Sequence, residues 1–236
     1  MQIKSMLRYA FHDIRRPVLI FYCCFYAIFF AMYALFVLMP PENGHIYFNG
    51  QEMAATIFLF VMGLNCLKEP LKMGLQNGVS RRTVLRAFTA VLLGCALCMS
   101  IIDALIAPLL QRLFHYESIL QLMYMHLSMP QLPASMLWNL LFYSTGAMFG
   151  LFLGSLYYRM NKTQKIVVSI GVPVLLGVVL PLVDTLLLHG QITVAIGQVF
   201  SVLFGTYASS LISMLVLSVF FLSLSRLCTH RIPVRE

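Results

Sequence analysis

One stretch of the chain decides the fold class: RRTVLRAFTAVLLGCALCMSIIDALIAPLL, residues 81–110. Three arginines precede an apolar run from Ala87 to Leu110, in which Asp103 is the only charged residue. A helix of ~20 apolar residues is long enough to cross a bilayer. The whole chain of 236 residues is 60% hydrophobic and 10% charged, whereas about a quarter of an average soluble domain is charged. This composition excludes a water-soluble enzyme, a disordered chain and a secreted disulfide scaffold.

The same pattern recurs along the chain and predicts an all-α membrane protein, with residues 1–236 forming a single transmembrane domain. Six transmembrane helices are predicted, at residues 18–39, 50–67, 87–110, 134–158, 166–188 and 199–225. The second of these spans is the shortest and has the fewest apolar residues. An even number of spans places both termini on the same side of the membrane.

The basic residues predict which side of the membrane that is. All but one of the 16 lysines and arginines lie in the N-terminal segment, in residues 68–86, in the loop after the fourth span or in the tail 226–236; the exception is Arg112. Because cytoplasmic loops are enriched in Lys and Arg, both termini are predicted to be cytoplasmic in a multi-pass protein. The net charge of +8 then reflects topology and attraction to a lipid membrane, and predicts no nucleic-acid partner.

The first residues predict an additional helix before the first span. Apolar side chains recur at helical spacing on one face: Ile3, Met6, Leu7, Ala10, Phe11 and Ile14. Basic residues occupy the rest of the helical wheel, which is typical of a helix lying in the membrane interface. An interfacial amphipathic helix is therefore predicted over residues 1–17, with Pro17 bending the chain into the first span.

The loop 68–86 contains signals for a short cytoplasmic helix. Asn77-Gly78 is a strong helix stop, since glycine adopts positive φ at no steric cost. Ser80 can cap the next helix, whose first turns carry Arg81 and Arg82. Charge alone fits an ordinary basic inner loop equally well.

Small residues repeat every four positions in two predicted spans, and such ladders let helix backbones approach closely. They serve either as helix-packing contacts within one chain or as a dimer interface. The residues are Gly146, Gly150 and Gly154 in the fourth span, and Gly197, Ser201, Gly205 and Ser209 at the start of the sixth.

Two carboxylates are predicted at membrane depth, Asp103 in the third span and Asp184 near the end of the fifth. An acid inside the membrane is a functional candidate, and a proton-coupled role is one interpretation. Asp103 alternatively faces a polar cavity or caps a break in the helix before Pro108. Asp184 alternatively reaches the outer interface. The outer loop 111–133 predicts an interfacial or re-entrant helix, and its irregular His and Met spacing predicts no metal site. No phosphate-binding loop, H-E-x-x-H or G-x-S-x-G motif is present, so the chain is not predicted to be an enzyme.

The layout of the chain resembles the membrane (permease) subunit of a type-2 ABC exporter, of the kind common in Gram-positive bacteria. The shared features are the amphipathic entry helix, the six spans and the string LQNGVSRRT at residues 75–83, which is similar to the turn after the coupling helix of such permeases. The resemblance implies a bacterial plasma membrane, a second permease subunit in a homo- or heterodimer, and an amphipathic substrate such as a peptide, antibiotic or lipid. One departure is that the long outer loop follows the third span, whereas many relatives carry outer helices between the last two.

The resemblance also implies that loop 68–86 docks on separate cytoplasmic ABC ATPase subunits, which would bind ATP and magnesium, while this chain binds no cofactor. The residues implied in ATPase coupling are Lys68, Glu69, Leu71, Lys72, Gly74, Leu75, Asn77, Gly78, Ser80, Arg81 and Arg82.

Other functions remain open from the sequence. An ion-coupled secondary carrier or channel would use Asp103 or Asp184. A six-span substrate-binding subunit of an importer would hold a small ligand without a second permease half. A membrane enzyme, or a sensor or immunity protein that only binds, is a further alternative.

Overall fold

The computed structural model describes residues 2–38, 47–48, 50–66, 73–74, 76–113, 115–124, 131–186 and 189–230. Within these ranges the chain is helical except for turns and one pair of two-residue strands, which confirms the predicted all-helical class. The elements are α1 (Gln2–Leu38), β1 (Tyr47–Phe48), α2 (Gln51–Asn65), α3 (Arg81–Leu113), β2 (His115–Tyr116), α4 (Ile119–Met123), α5 (Gln131–Arg159), α6 (Lys162–Val174), a π-helical turn (Leu175–Val179), α7 (Leu180–Leu186), α8 (Gln191–Phe204) and α9 (Tyr207–His230).

Five helices of the described residues are long and apolar enough to cross a membrane, and they match the predicted first, third, fourth, fifth and sixth spans. The second predicted span corresponds to α2, which has 15 residues. At 1.5 Å per residue α2 is about 22 Å long, shorter than the ~30 Å hydrocarbon core of a bilayer. Residues 67–72, where it would continue, lie outside the described residues. The second predicted span, and with it the total of six spans, therefore stays a prediction.

Hydrogen bonds between helices give their directions. The Tyr207 hydroxyl donates to the Ala134 carbonyl over 3.0 Å, and the Ser155 and Ser225 hydroxyls are 2.8 Å apart. Both pairs join α5 and α9 at matching heights, so these two helices run parallel. Two names are used for the ends of the bundle. The basic end is the one where α3 begins and α9 ends. The acidic end is the one where α2 and α5 begin.

The glycines of the fourth span close α5 onto α2 of the same chain. A Cβ atom at Gly154 would lie 2.6 Å from the Leu64 carbonyl oxygen, and one at Gly150 would lie closer still to that of Phe60. Gly146 also faces α2, but a Cβ there would meet the Thr56 side chain first, 2.6 Å from Cγ2. The contacts of Gly150 and Gly154 join backbone to backbone, which only glycine permits. The structure thus assigns Gly146, Gly150 and Gly154 a packing role within one chain.

Helix α1 is continuous from Gln2 to Leu38, with Pro17 inside it. The sequence predicts two separate elements divided at Pro17, and the described residues do not show this division. Ala10 and Ile14 are 0% and 1% exposed and belong to the main hydrophobic core with residues of α3. The predicted amphipathic face therefore packs partly against protein. This packing keeps the N-terminal segment continuous with the rest of α1, although Pro17 has no N–H to donate within the helix.

The fifth predicted span lies at the edge of the bundle. It extends from Lys162 to Leu186, and its most apolar window has no buried residue. The π-helical turn lies between Pro173 and Pro181, where the two prolines interrupt the regular ladder of backbone hydrogen bonds. Because its most apolar window has no buried residue, this part of the helix is suited to contact with lipid.

The boundary of the sixth predicted span is wrong. The predicted span 199–225 crosses a break, because α8 ends at Phe204 and α9 begins at Tyr207. Thr206 and Ser209 cap the new helix reciprocally: each backbone N–H donates to the other's hydroxyl, over 3.1 and 3.2 Å. Paired caps of this kind start a helix even inside an apolar run.

The break also divides the second predicted ladder. Gly197 and Ser201 lie on α8, Gly205 lies in the break, and Ser209 lies on α9. The single stripe predicted along one helix is therefore not formed. Nothing lies within 4 Å of a Cβ built at Gly197, so this position is open.

Candidate functional site

A tight turn leads into α3 at the basic end, and residues 76–80 are called the entry turn below. The Val79 N–H donates to the Gly74 carbonyl over 2.8 Å, across Gly78, whose φ is +71°. This arrangement is the Schellman type of helix end, in which glycine takes the left-handed position. The Ser80 hydroxyl accepts a 3.3 Å hydrogen bond from the Thr83 N–H. The predicted helix stop at Gly78 and the predicted cap at Ser80 are both confirmed.

Gly74 fixes the position of the entry turn against the bundle. Met73, Gly74 and Gln76 have helical backbone. A Cβ atom at Gly74 would lie 2.8 Å from Val84 Cγ2 and 3.4 Å from Met6 Cε, so this backbone is held between α1 and α3. The backbone before the entry turn is therefore packed against both helices.

The remaining residues of the predicted coupling segment lie outside the described residues. They are Lys68, Glu69, Leu71, Lys72 and Leu75. The described part of the set, which the structure brings together next to the start of α3, comprises Gly74, Asn77, Gly78, Ser80, Arg81 and Arg82.

A basic groove of about 730 Å³ lies beside the entry turn, between the start of α3 and the end of α9. Arg81, Arg82 and Arg86 line it from one side and Arg226 from the other. The described lining contains no carboxylate, and it is completed by Ser80, Leu85, Ser223, Leu227 and Thr229. The sequence places Arg226 in the tail and gives no signal that it meets the arginines of α3. The groove is suited to anionic groups.

A buried polar network occupies the acidic end, centred on Asp103, which is 4% exposed. Its Oδ1 atom accepts hydrogen bonds from the Tyr22 hydroxyl (3.0 Å) and the Gln51 amide (2.8 Å), and Oδ2 accepts one from the Tyr143 hydroxyl (2.5 Å). The same Gln51 amide also donates to the Tyr26 hydroxyl over 3.2 Å. Asp103 thus links α1, α2, α3 and α5, with both of its oxygens satisfied.

A second buried carboxylate lies close by, on the first turn of α2. Glu52 is 2% exposed, and its Oε1 atom accepts a 2.9 Å hydrogen bond from the Tyr116 hydroxyl. Its Oε2 atom is buried without a hydrogen-bond partner in the described residues. Burial and the Glu52 carboxylate raise the pKa of the Tyr116 phenol far above its usual range, so Tyr116 remains a donor at neutral pH.

Glu52 lines a cavity of about 740 Å³ at the acidic end. Its walls come from the last turns of α3, from β2 and α4, and from the first turns of α5. The strand pair β1–β2 is parallel and joins Tyr47 to His115 and Phe48 to Tyr116. Loop 111–133 contains the five-residue helix α4, whose N-terminus has a capping box between Ser118 and Gln121; an interfacial or re-entrant placement of this loop stays a prediction.

The two predicted intramembrane acids are not brought together. Asp184 accepts hydrogen bonds from the Ile192 and Thr193 N–H groups, over 2.8 and 3.0 Å, and from the Thr193 hydroxyl. It therefore caps the first turn of α8 and holds the α7–α8 hairpin, after the left-handed residues His189 and Gly190. This contact gives Asp184 a structural role.

Sequence analysis did not single out Glu52 or its partner Tyr116. A glutamate at the start of a short predicted span normally lies at the membrane interface. Nothing in the neighbouring sequence indicates that Glu52 is buried. Among the described residues, no group of three or more His, Cys, Asp or Glu side chains is placed to hold a metal ion.

Comparisons of the chain with protein-family models, with curated proteins and with solved structures find no match.

Proposed function

We propose that this chain is the permease subunit of an ATP-driven ABC exporter, embedded in a bacterial plasma membrane with both termini in the cytoplasm. It would have six spans, with the predicted span 50–67 as the second. It would pair with a second permease subunit and export an amphipathic substrate. ATP and magnesium would be bound by separate ATPase subunits.

The observation that supports this proposal best is the way the entry turn is held. A Cβ at Gly74 would lie 2.8 Å from Val84 Cγ2 and 3.4 Å from Met6 Cε, so this backbone is packed against both α3 and α1. The Ser80 cap joins the turn to α3 without a flexible linker. A partner that pushes on this point would tilt α1 and α3 as rigid bodies, which is what coupling of hydrolysis to helix movement requires.

The basic groove next to the entry turn supports a docking role at the same end. Four arginines converge there without a carboxylate among the described lining residues. Such a surface favours a partner that presents acidic groups, because charge complementarity guides association and fixes its orientation. We propose the ATPase as that partner, in line with the resemblance of residues 75–83 to the turn of ABC permeases.

Docking can be tested with two matched charge reversals, Arg82→Glu at the basic end and Arg112→Glu at the acidic end. Both arginines are exposed. Tagged chain is purified from its native membrane, and co-purifying proteins are identified by mass spectrometry. We expect an ATPase with a phosphate-binding loop, recovered at least several-fold less with Arg82→Glu and unchanged with Arg112→Glu. Equal recovery with both variants, or the absence of any such ATPase, would contradict the proposal.

The polar network around Asp103 favours a second candidate, an ion-coupled secondary carrier. A buried acid with three donors from α1, α2 and α5 could bind and release a proton as those helices move. Under this alternative, the purified chain alone would transport when a proton gradient is applied, and Asp103→Asn would abolish transport. Under the exporter proposal, a proton gradient alone moves nothing.

A further inference from the structure

We infer that the cavity at the acidic end is a binding site for an amphipathic compound that carries a protonated amine, with the ammonium group held by Glu52. The cavity lies among the ends of α2, α3, α4 and α5, and its volume of about 740 Å³ is within the range of sites for drug-sized molecules. The inference concerns binding alone and does not depend on the proposed exporter function.

The unpartnered oxygen of Glu52 is the main evidence for a cationic ligand. Asp103 nearby has hydrogen-bond donors on both of its oxygens. Glu52 has the Tyr116 hydroxyl on Oε1, and within the described residues no donor meets hydrogen-bond geometry at Oε2. The backbone N–H groups of Glu52 and Ile119 also stabilise the ionised carboxylate. Buried acceptors are normally satisfied. Because Glu52 lines the cavity, its unpartnered oxygen points to a donor supplied by a ligand.

The charges of the cavity favour a cation over an anion. Its described lining includes two carboxylates, Glu52 and Glu117, and no lysine or arginine. Neutral polar side chains complete the polar part: Gln111, Ser118, Gln121, Ser135 and Asn139. A primary ammonium group has three donors and no acceptor, so it can bond Glu52 and use neighbouring amide or hydroxyl oxygens for the rest.

The remaining walls are suited to the apolar part of such a ligand. Ala104, Ala107, Leu120 and Leu132 line the cavity together with the rings of Tyr116 and Tyr124. Aromatic faces attract cations as well as apolar groups. A compound with one amine and one hydrophobic body therefore matches the lining better than a sugar, a nucleotide or a free inorganic ion.

The single tryptophan of the chain makes this inference testable in the purified protein. Trp138 is 1% exposed, precedes Asn139 in the cavity wall, and packs in one cluster with Leu120. Dansylcadaverine, an amphipathic primary amine, would accept energy from Trp138 when bound. Its N-acetylated form keeps the apolar body and has no charge. In neutral detergent micelles we expect saturable, tryptophan-sensitised dansyl emission with the amine, and at least tenfold weaker binding of the acetylated form.

Three variants locate the site. Glu52→Gln removes the charge and is expected to weaken binding of the amine at least tenfold, without affecting the acetylated form. Glu117→Gln, a matched change at an exposed residue of the same cavity, should alter affinity less than threefold. Ala107→Phe fills the cavity while keeping Glu52, and it should reduce binding of both compounds. This variant tests the location of the site even if Glu52→Gln does not fold.

Equal binding of the amine and its acetylated form would overturn the inference, as would unchanged affinity in a folded Glu52→Gln variant. Neither result would bear on ATPase docking. Conversely, amine binding with no ATPase recovered from the membrane would leave the inference intact and contradict the exporter proposal.

Discussion

Alanine at position 154 would place a methyl group between α2 and α5, which the glycines of α5 hold in backbone contact. The added Cβ would lie 2.6 Å from the Leu64 carbonyl oxygen, and ordinary van der Waals contact begins at 3.4 Å. The helices would therefore have to separate locally by about 0.8 Å, which is the difference between these two distances. Because backbone atoms oppose each other here, no side-chain rotation can relieve the clash. Overpacking of this kind costs about 1–3 kcal/mol.

Gly94→Ala is the matched control, since Gly94 lies inside α3 with nothing within 4 Å of an added Cβ. There alanine should be neutral, or stabilise the helix by up to ~1 kcal/mol. Unfolding in mixed micelles with increasing dodecyl sulfate, followed by Trp138 fluorescence, should give a lower midpoint for Gly154→Ala than for the control, and a lower one still for Gly150→Ala. Equal midpoints for all three variants would refute the packing of α2 against α5.

Three further outcomes are expected from single changes. Asp184→Asn removes a charged acceptor, so hydrogen exchange at the Ile192 and Thr193 amides should accelerate, because hydrogen bonds to charged groups are stronger than those to neutral groups; unchanged exchange would exclude the cap. Ser80→Ala should lower the free energy of unfolding by about 0.5–2 kcal/mol through loss of the N-cap, as measured by the same dodecyl sulfate titration, and an unchanged midpoint would count against the cap. In a chain whose six native cysteines are replaced, a membrane-impermeant maleimide should label Glu117→Cys in intact cells and Arg82→Cys only after permeabilisation; the reverse pattern would invert the predicted topology.

The features that sequence alone predicted correctly depend on local chemistry. Gly78 after Asn77 ends a helix because glycine takes positive φ cheaply, and Ser80 caps α3 because its hydroxyl reaches the amide three residues ahead. The apolar stretches predict the long helices because an α-helix rises by a fixed distance per residue. The number of apolar residues therefore gives the thickness of membrane that the helix can cross. Each signal lies within a few residues of the feature that it predicts.

The features that sequence did not predict depend on contacts between distant residues. Glu52 is buried because Tyr116 covers it, and the two are 64 positions apart. The helical spacing of apolar residues shows that Ala10 and Ile14 lie on one face. The spacing does not show whether that face contacts lipid or α3. The break before α9 was missed because hydropathy averaged over a window hides the small capping pair Thr206 and Ser209.

The central claim, that the chain is moved from its basic end by another subunit's ATP hydrolysis, is tested most directly by transport in proteoliposomes. Vesicles contain the chain alone or together with its co-purifying ATPase, and uptake of dansylcadaverine into inside-out vesicles serves as the readout. We expect uptake only when the ATPase and hydrolysable ATP are both present. Uptake by the chain alone, driven by a proton gradient without nucleotide, would contradict the claim.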